Sequence, residues 1–143
     1  MRATGRRAFV SGLAALLVGC SSSVTEPLHS DVDRARRTWL RTGATSYDFE
    51  VSTTSSWFPV GGFVRAQVRD GRVVVATNPD GTAAPNFALT VDQIWNRVLE
   101  ARAKGELNSA EFDARGVPVE SDMGPWPVDG GVHYSVRSFR RVR

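Results

Sequence analysis

Few residues in this chain could do chemistry, and each type sets a different requirement. There are two histidines, His29 and His133. A serine triad needs a histidine base held beside a hydroxyl and an orienting carboxylate. His29 falls in a stretch expected to be flexible. His133 alternates with Val132 and Tyr134, which puts it on the solvent side of a strand. No Gly-x-Ser-x-Gly elbow is present. Asp113, Glu120, Asp122 and Asp129 form the densest acid group, without the regular spacing of a calcium loop. Two-carboxylate glycoside chemistry needs a cleft, and a small domain with short loops has little room for one. Gly61-Gly62 is too short to cradle a phosphate and lacks the lysine. No catalytic residue, metal site or cofactor is therefore assigned. Two aromatic loops stand out instead, Trp57-Phe58-Pro59 and Pro125-Trp126-Pro127. Exposed tryptophans often anchor a partner, which makes Trp57, Phe58 and Trp126 the candidate partner-binding residues. The competing reading is that these rings fold back and close the ends of a small core. Trp39 and Trp95 fall on helical stripes and are expected inside.

Cys20 is the one cysteine. It follows Arg2, Arg6 and Arg7 and an apolar run from Ala8 to Gly19. A positive end, a short apolar run and a small residue before the cut make a secretory signal. That run is too short to span a bilayer, which needs roughly 20 apolar residues. Leu17-Val18-Gly19-Cys20 resembles the bacterial lipobox, in which the thiol receives diacylglycerol. The expected address is an exported lipoprotein, cut before Cys20 and held to a membrane by acyl chains on it. Two or more chains give stable anchoring where one does not. Arg6-Arg7-Ala8-Phe9-Val10 also resembles the twin-arginine export pattern, although paired arginines are common in ordinary signals. Ser21 after the cysteine favours the outer membrane in a cell with two. Removing residues 1–19 leaves 124, enough for one domain. It also leaves 15 basic and 15 acidic side chains, so composition makes no case for nucleic acid. The basic end, Arg137, Arg140, Arg141 and Arg143, is expected to be a solvated tail, with anionic head groups as the alternative contact.

The elements that would position these residues can be read from periodicity. Residues 20–29 are expected to be a tether, and 30–143 a single domain. Ser30, with Asp33 three residues on, looks like a capping box opening a helix over 31–41. Tyr47, Phe49 and Val51 alternate with polar residues as in a half-buried strand. Asp70-Gly71 between two alternating runs, 63–69 and 72–77, is a strong hairpin signal. Thr90 and Gln93 cap a second helix whose stripe is Val91, Ile94, Trp95, Val98 and Leu99, ending at Gly105. Strands follow at 109–112, 117–121 and 131–139. Pro118 lacks an N–H, so its strand should lie at an edge or hold a bulge. The expected fold class is α+β: a small antiparallel sheet with helices on one face, in the order αβββαβββ.

Taken together, Trp39, Tyr47-Asp48-Phe49, Val64 to Val73, Leu89 to Trp95, Phe112-Asp113 and Gly116-Val117-Pro118 resemble a family of small bacterial proteins. Many of these are lipoproteins, and they share a domain of unknown function. The resemblance covers about residues 35–140. Relatives often read Gly-Tyr-Pro where this chain has Gly116-Val117-Pro118. Many carry two cysteines near positions 55 and 57, where this chain has Ser55 and Trp57, so a disulfide or redox role there is not carried over. The resemblance implies fold and address and brings no activity.

The functional expectation is a membrane-anchored envelope lipoprotein acting as a non-enzymatic binding or accessory module. Its partners would be the lipid membrane, through acylated Cys20, and an envelope protein or peptide. The alternative is an envelope hydrolase or an inhibitor of an envelope enzyme, which would need His133 or the 113–129 acids in a concave pocket.

Overall fold

The computed structural model describes residues 26–55, 62–125 and 130–142. They form α1 (Glu26–Thr42), β1 (Tyr47–Ser55), β2 (Val64–Arg69), β3 (Arg72–Thr77), α2 (Val91–Lys104), β4 (Leu107–Phe112), β5 (Pro118–Met123) and β6 (Val132–Arg141). The six strands make one antiparallel sheet in the order β3-β2-β1-β6-β5-β4. Each half of the chain is a helix followed by a three-strand meander, and β1 pairs with β6 to join the halves. No helix among the described residues is long and apolar enough to cross a membrane.

Strand alternation sorts the side chains. Tyr47, Phe49, Val51, Ala66, Val68, Tyr134 and Val136 face the helices and are buried. Against them pack Val32, Ala35 and Trp39 of α1, with Val91, Ile94, Trp95 and Val98 of α2. Both helices lie on one face, as predicted. The opposite face carries mainly charged and polar side chains, with Val75 exposed on β3.

The local signals held where they were strongest. Asp70 (φ 49°) and Gly71 (φ 76°) form the tight turn between β2 and β3. Thr90 and Gln93 make the reciprocal capping box, and Gly105 closes α2 in the left-handed conformation. Pro118 opens β5, beside a register break at Phe112, so the bulge and not an edge accommodates it.

Two expectations need correction. The tether does not run to His29, because α1 already begins at Glu26, and Ser30 lies inside the helix instead of capping it. Pro27 sits in the first turn, where a missing N–H leaves no helical bond unmade. Asp33 faces α2, where Arg102 donates to it at 2.6 Å. The basic end is also not a tail. Arg137, Arg140 and Arg141 belong to β6, which continues two residues past its expected end.

Candidate functional site

The residues that carried the family resemblance turn out to hold the two helices to the sheet. Trp39 donates its indole N–H to Asp92 Oδ1 at 2.8 Å. Asp92 also lies 3.6 Å from Arg36. The Tyr47 hydroxyl accepts the Val91 N–H at 3.1 Å, satisfying a donor at the start of α2. Burial pushes the Tyr47 phenol up to about 12. Trp95 stacks on Phe112, with centroids 5.0 Å apart, and donates to the Gly116 carbonyl at 3.0 Å. Gly116 has φ 78°, and a Cβ there would stand 2.2 Å from the Ala35 carbonyl oxygen. Asp113 fixes the same turn by accepting the N–H groups of Arg115 and Val117. These groups form a framework, and Trp39 and Trp95 are core as predicted.

Concavity is found elsewhere, at the end of the sheet where β1 and β5 finish. Ser55 and Met123 are both paired with Val132, the first residue of β6. The strands leading into the two aromatic loops therefore end side by side across β6, about 10 Å apart at ordinary strand spacing. Beside them, between the last turns of α2 and the ends of β5 and β6, lies a cleft of about 170 Å³. Ala101, Met123, Val132 and Tyr134 give it apolar walls, and Arg97 stands on its rim. Arg97 donates to the Tyr134 hydroxyl and lies over that ring, 5.6 Å from its centroid. Burial raises the Tyr134 phenol above its ordinary value.

The base of the second aromatic loop is a glycine neck. Gly124 donates its N–H to the Glu106 carbonyl and accepts from the Asn108 side chain, both at 2.8 Å. A Cβ on Gly124 would come within 2.9 Å of Gly130 and Gly131 backbone atoms, so two strands of backbone cross there at glycine-only distance. Gly124, Gly130 and Gly131 flanking Pro125-Trp126-Pro127 were the sequence signal for this neck. Nothing local pointed to Arg97 and Tyr134 meeting. Cys20, Trp57, Phe58 and Trp126 themselves lie outside the described residues.

Of the remaining candidates, His133 and Glu120 sit on the open face. His133 Nε2 is 2.8 Å from Glu120, whose other oxygen accepts from Ser135 at 2.6 Å. Histidine and glutamate are each about two-fifths exposed. His29 lies within α1. Of the acids, Asp113 is occupied by its turn, and Glu120 and Asp122 lie on β5; Asp129 is outside the described residues. Among the described residues no group of three or more histidines, cysteines or acids could hold a metal ion.

Toward the Tyr47 end, the open face carries two charge rows. Glu50 lies between Arg65 (3.1 Å) and Arg137 (2.8 Å), and Asp48 between Arg69 (2.9 Å) and Arg140 (2.8 Å). Hydrogen bonds from Arg137 to Glu50 and from Arg140 to Asp48 hold both carboxyls below their ordinary values. The Arg137 guanidinium also covers the Phe63 ring, 3.7 Å from its centroid.

Residues 31–141 match the family described as a family of unknown function (DUF6174), and the chain belongs to it. The match takes in the whole sheet, both helices except the start of α1, and every residue that carried the resemblance. No curated protein and no solved structure matches the chain.

Proposed function

We propose that this chain is a bacterial envelope lipoprotein, anchored by acylated Cys20, whose domain is a non-enzymatic binding or accessory module. The observation that carries the binding reading is the convergence at Val132. The chain segments bearing Trp57-Phe58 and Trp126 spring from neighbouring positions at one end of the sheet, beside a cleft with apolar walls and Arg97 on its rim. Large rings on loops with fixed bases suit capture of an envelope protein or peptide, because little order must be imposed on binding. The non-enzymatic reading is supported by the framework role of the family residues and by the engagement of exposed His133 with Glu120. Ser21 supports delivery to the outer membrane.

Two measurements test this. Mass spectrometry of the membrane-fraction protein should find a chain beginning at Cys20 with added acyl mass, lost in Cys20→Ala. An unlipidated, soluble wild type would sink the anchor. For the module, Trp57→Ala with Trp126→Ala should abolish crosslinked partners while far-UV circular dichroism stays unchanged. Unchanged partners on an intact fold would show the loops to be the wrong surface. Membrane fractionation decides inner against outer.

A further inference from the structure

The geometry points to the charge rows on the open sheet face as a binding surface for a linear phosphate polymer. This proposal rests on described residues alone and does not depend on the lipid anchor.

Five arginines gather there, Arg65, Arg69, Arg72, Arg137 and Arg140, against Asp48 and Glu50 within the rows and Asp70 in the adjoining turn. The excess is positive. It is local, because the far side of the same face carries Glu111, Glu120 and Asp122. Arg65 and Arg69 on β2 and Arg137 and Arg140 on β6 flank β1 from either side. They stand about 10 Å apart across the strands, and along them roughly 7 Å apart on β6 and roughly 13 Å apart on β2. Such an array matches a chain of repeated anionic groups better than a single small anion.

The arginines are also held in advance. A guanidinium has five N–H donors. Arg137 gives Nε to Glu50, and Arg140 gives Nη2 to Asp48, which leaves most donors of both facing solvent. Phosphate takes the guanidinium fork in a bidentate fashion. Fixing these side chains with carboxylates and the Phe63 ring lowers the ordering cost of binding.

A second observation shows that the fold spends strain to build the array. Arg137 and Arg140 are three residues apart, and in a regular strand that spacing puts them on opposite faces. Glu50 pairs with Arg137 and Asp48 with Arg140, so β6 holds one extra residue between them. Ser138 takes that place with φ 55°, a conformation an ordinary side chain avoids. The bulge keeps Phe139 turned inward against Trp39 and Tyr47 while both arginines face out. Bulges that re-aim side chains in this way recur beside functional sites.

The occupant is a phosphate polymer rather than a nucleic acid because single-stranded binders stack bases on exposed rings. The ring found among these rows, Phe63, is covered by Arg137. A lipid surface is less suited, because the chain reaches the fold through α1, on the other side of the sheet.

The test is fluorescence anisotropy of end-labelled linear inorganic polyphosphate with the purified full-length protein. Wild type should bind, with affinity falling as salt rises at a log–log slope of about −2 to −3. Arg65→Gln with Arg137→Gln should weaken binding by about tenfold or more. Arg37→Gln with Arg41→Gln, an equal charge change on exposed α1 positions, should not. Arg140→Gln alone, at a position 78% exposed, should weaken binding without any risk to folding. Several results would overturn the proposal. They are no binding by wild type, equal losses in both double variants, or an intact Arg140→Gln. Tighter binding to a single-stranded oligonucleotide of equal charge, or binding to anionic phospholipid vesicles alone, would overturn the choice of occupant.

Discussion

Replacing Gly116 by alanine should cost about 3–5 kcal/mol, far more than loss of a turn glycine alone. The conformational part is about 1 kcal/mol, for an alanine held at φ 78°. The larger part is contact. The new Cβ would lie 2.2 Å from the Ala35 carbonyl oxygen and 2.7 Å from the Trp39 nitrogen. Reaching an ordinary contact of about 3.4 Å requires α1 to withdraw by roughly 1 Å. Overpacking of this kind costs about 1–3 kcal/mol. The same movement strains, without breaking, the Trp95 bond to the Gly116 carbonyl, which adds about 1 kcal/mol, the low end of the cost of an unpaired buried donor. The control is Gly105→Ala, where φ is 72° and no atom lies within 4 Å of the added carbon. It carries the conformational cost alone. Thermal unfolding followed by tryptophan fluorescence should show Gly105→Ala melting about 4 °C early and Gly116→Ala about 12–20 °C early, or not folded at all. Equal shifts in the two variants would refute the claim that close approach, and not turn conformation, demands glycine at 116.

Tyr47→Phe should destabilise by about 1–2 kcal/mol in chemical denaturation, because the buried Val91 N–H loses its acceptor. The Tyr47 phenol is raised from 10 to about 12 in the fold, so the native state keeps a proton that the unfolded chain gives up. Stability should thus be full below pH 10 and fall by up to about 3 kcal/mol between pH 10 and 12, a loss that Tyr47→Phe removes from the alkaline limb. Asp48 and Glu50 shift the other way: their stabilisation is present above the ordinary carboxylate range and is lost as pH falls through it. Asp48→Asn with Glu50→Gln should flatten acid unfolding below pH 4.5 while costing only about 1 kcal/mol at neutral pH, measured by denaturation at each pH. Trp95→Phe should cost about 2 kcal/mol, and Gly116 should then show faster amide exchange in its turn.

What could be read from the sequence was local chemistry with its own short-range mechanism. Asp70-Gly71 must turn because both residues take positive φ, and Thr90 with Gln93 must start a helix because each satisfies the other's backbone. The α+β order followed from such signals. The sheet order did not. β1 meets β6 across some 80 to 90 residues of chain, and no periodicity in either strand names its partner. The same gap hid the charge rows. Read by strict alternation, Arg137 and Arg140 fall on opposite faces, and only Ser138 in the left-handed region brings them together. The α1 start was missed because a good capping pattern at Ser30 outranked Pro27, which is equally at home in a first turn. Of the candidate site, the aromatic loops could be named from composition, but the shared base at Val132 is a product of register.

The position of β6 bears on the order of events in synthesis. The last strand of this sheet to leave the ribosome lies in its middle, where it joins two halves that share no other strand pairing among the described residues. A nascent chain lacking residues 132–141 therefore has a helix and three strands, then a helix and two strands, with no ladder between them. Its apolar faces stay open until translation of this domain is nearly complete. A domain built this way remains threadable for almost the whole of its synthesis, and it closes in one late step when β6 slots between β1 and β5.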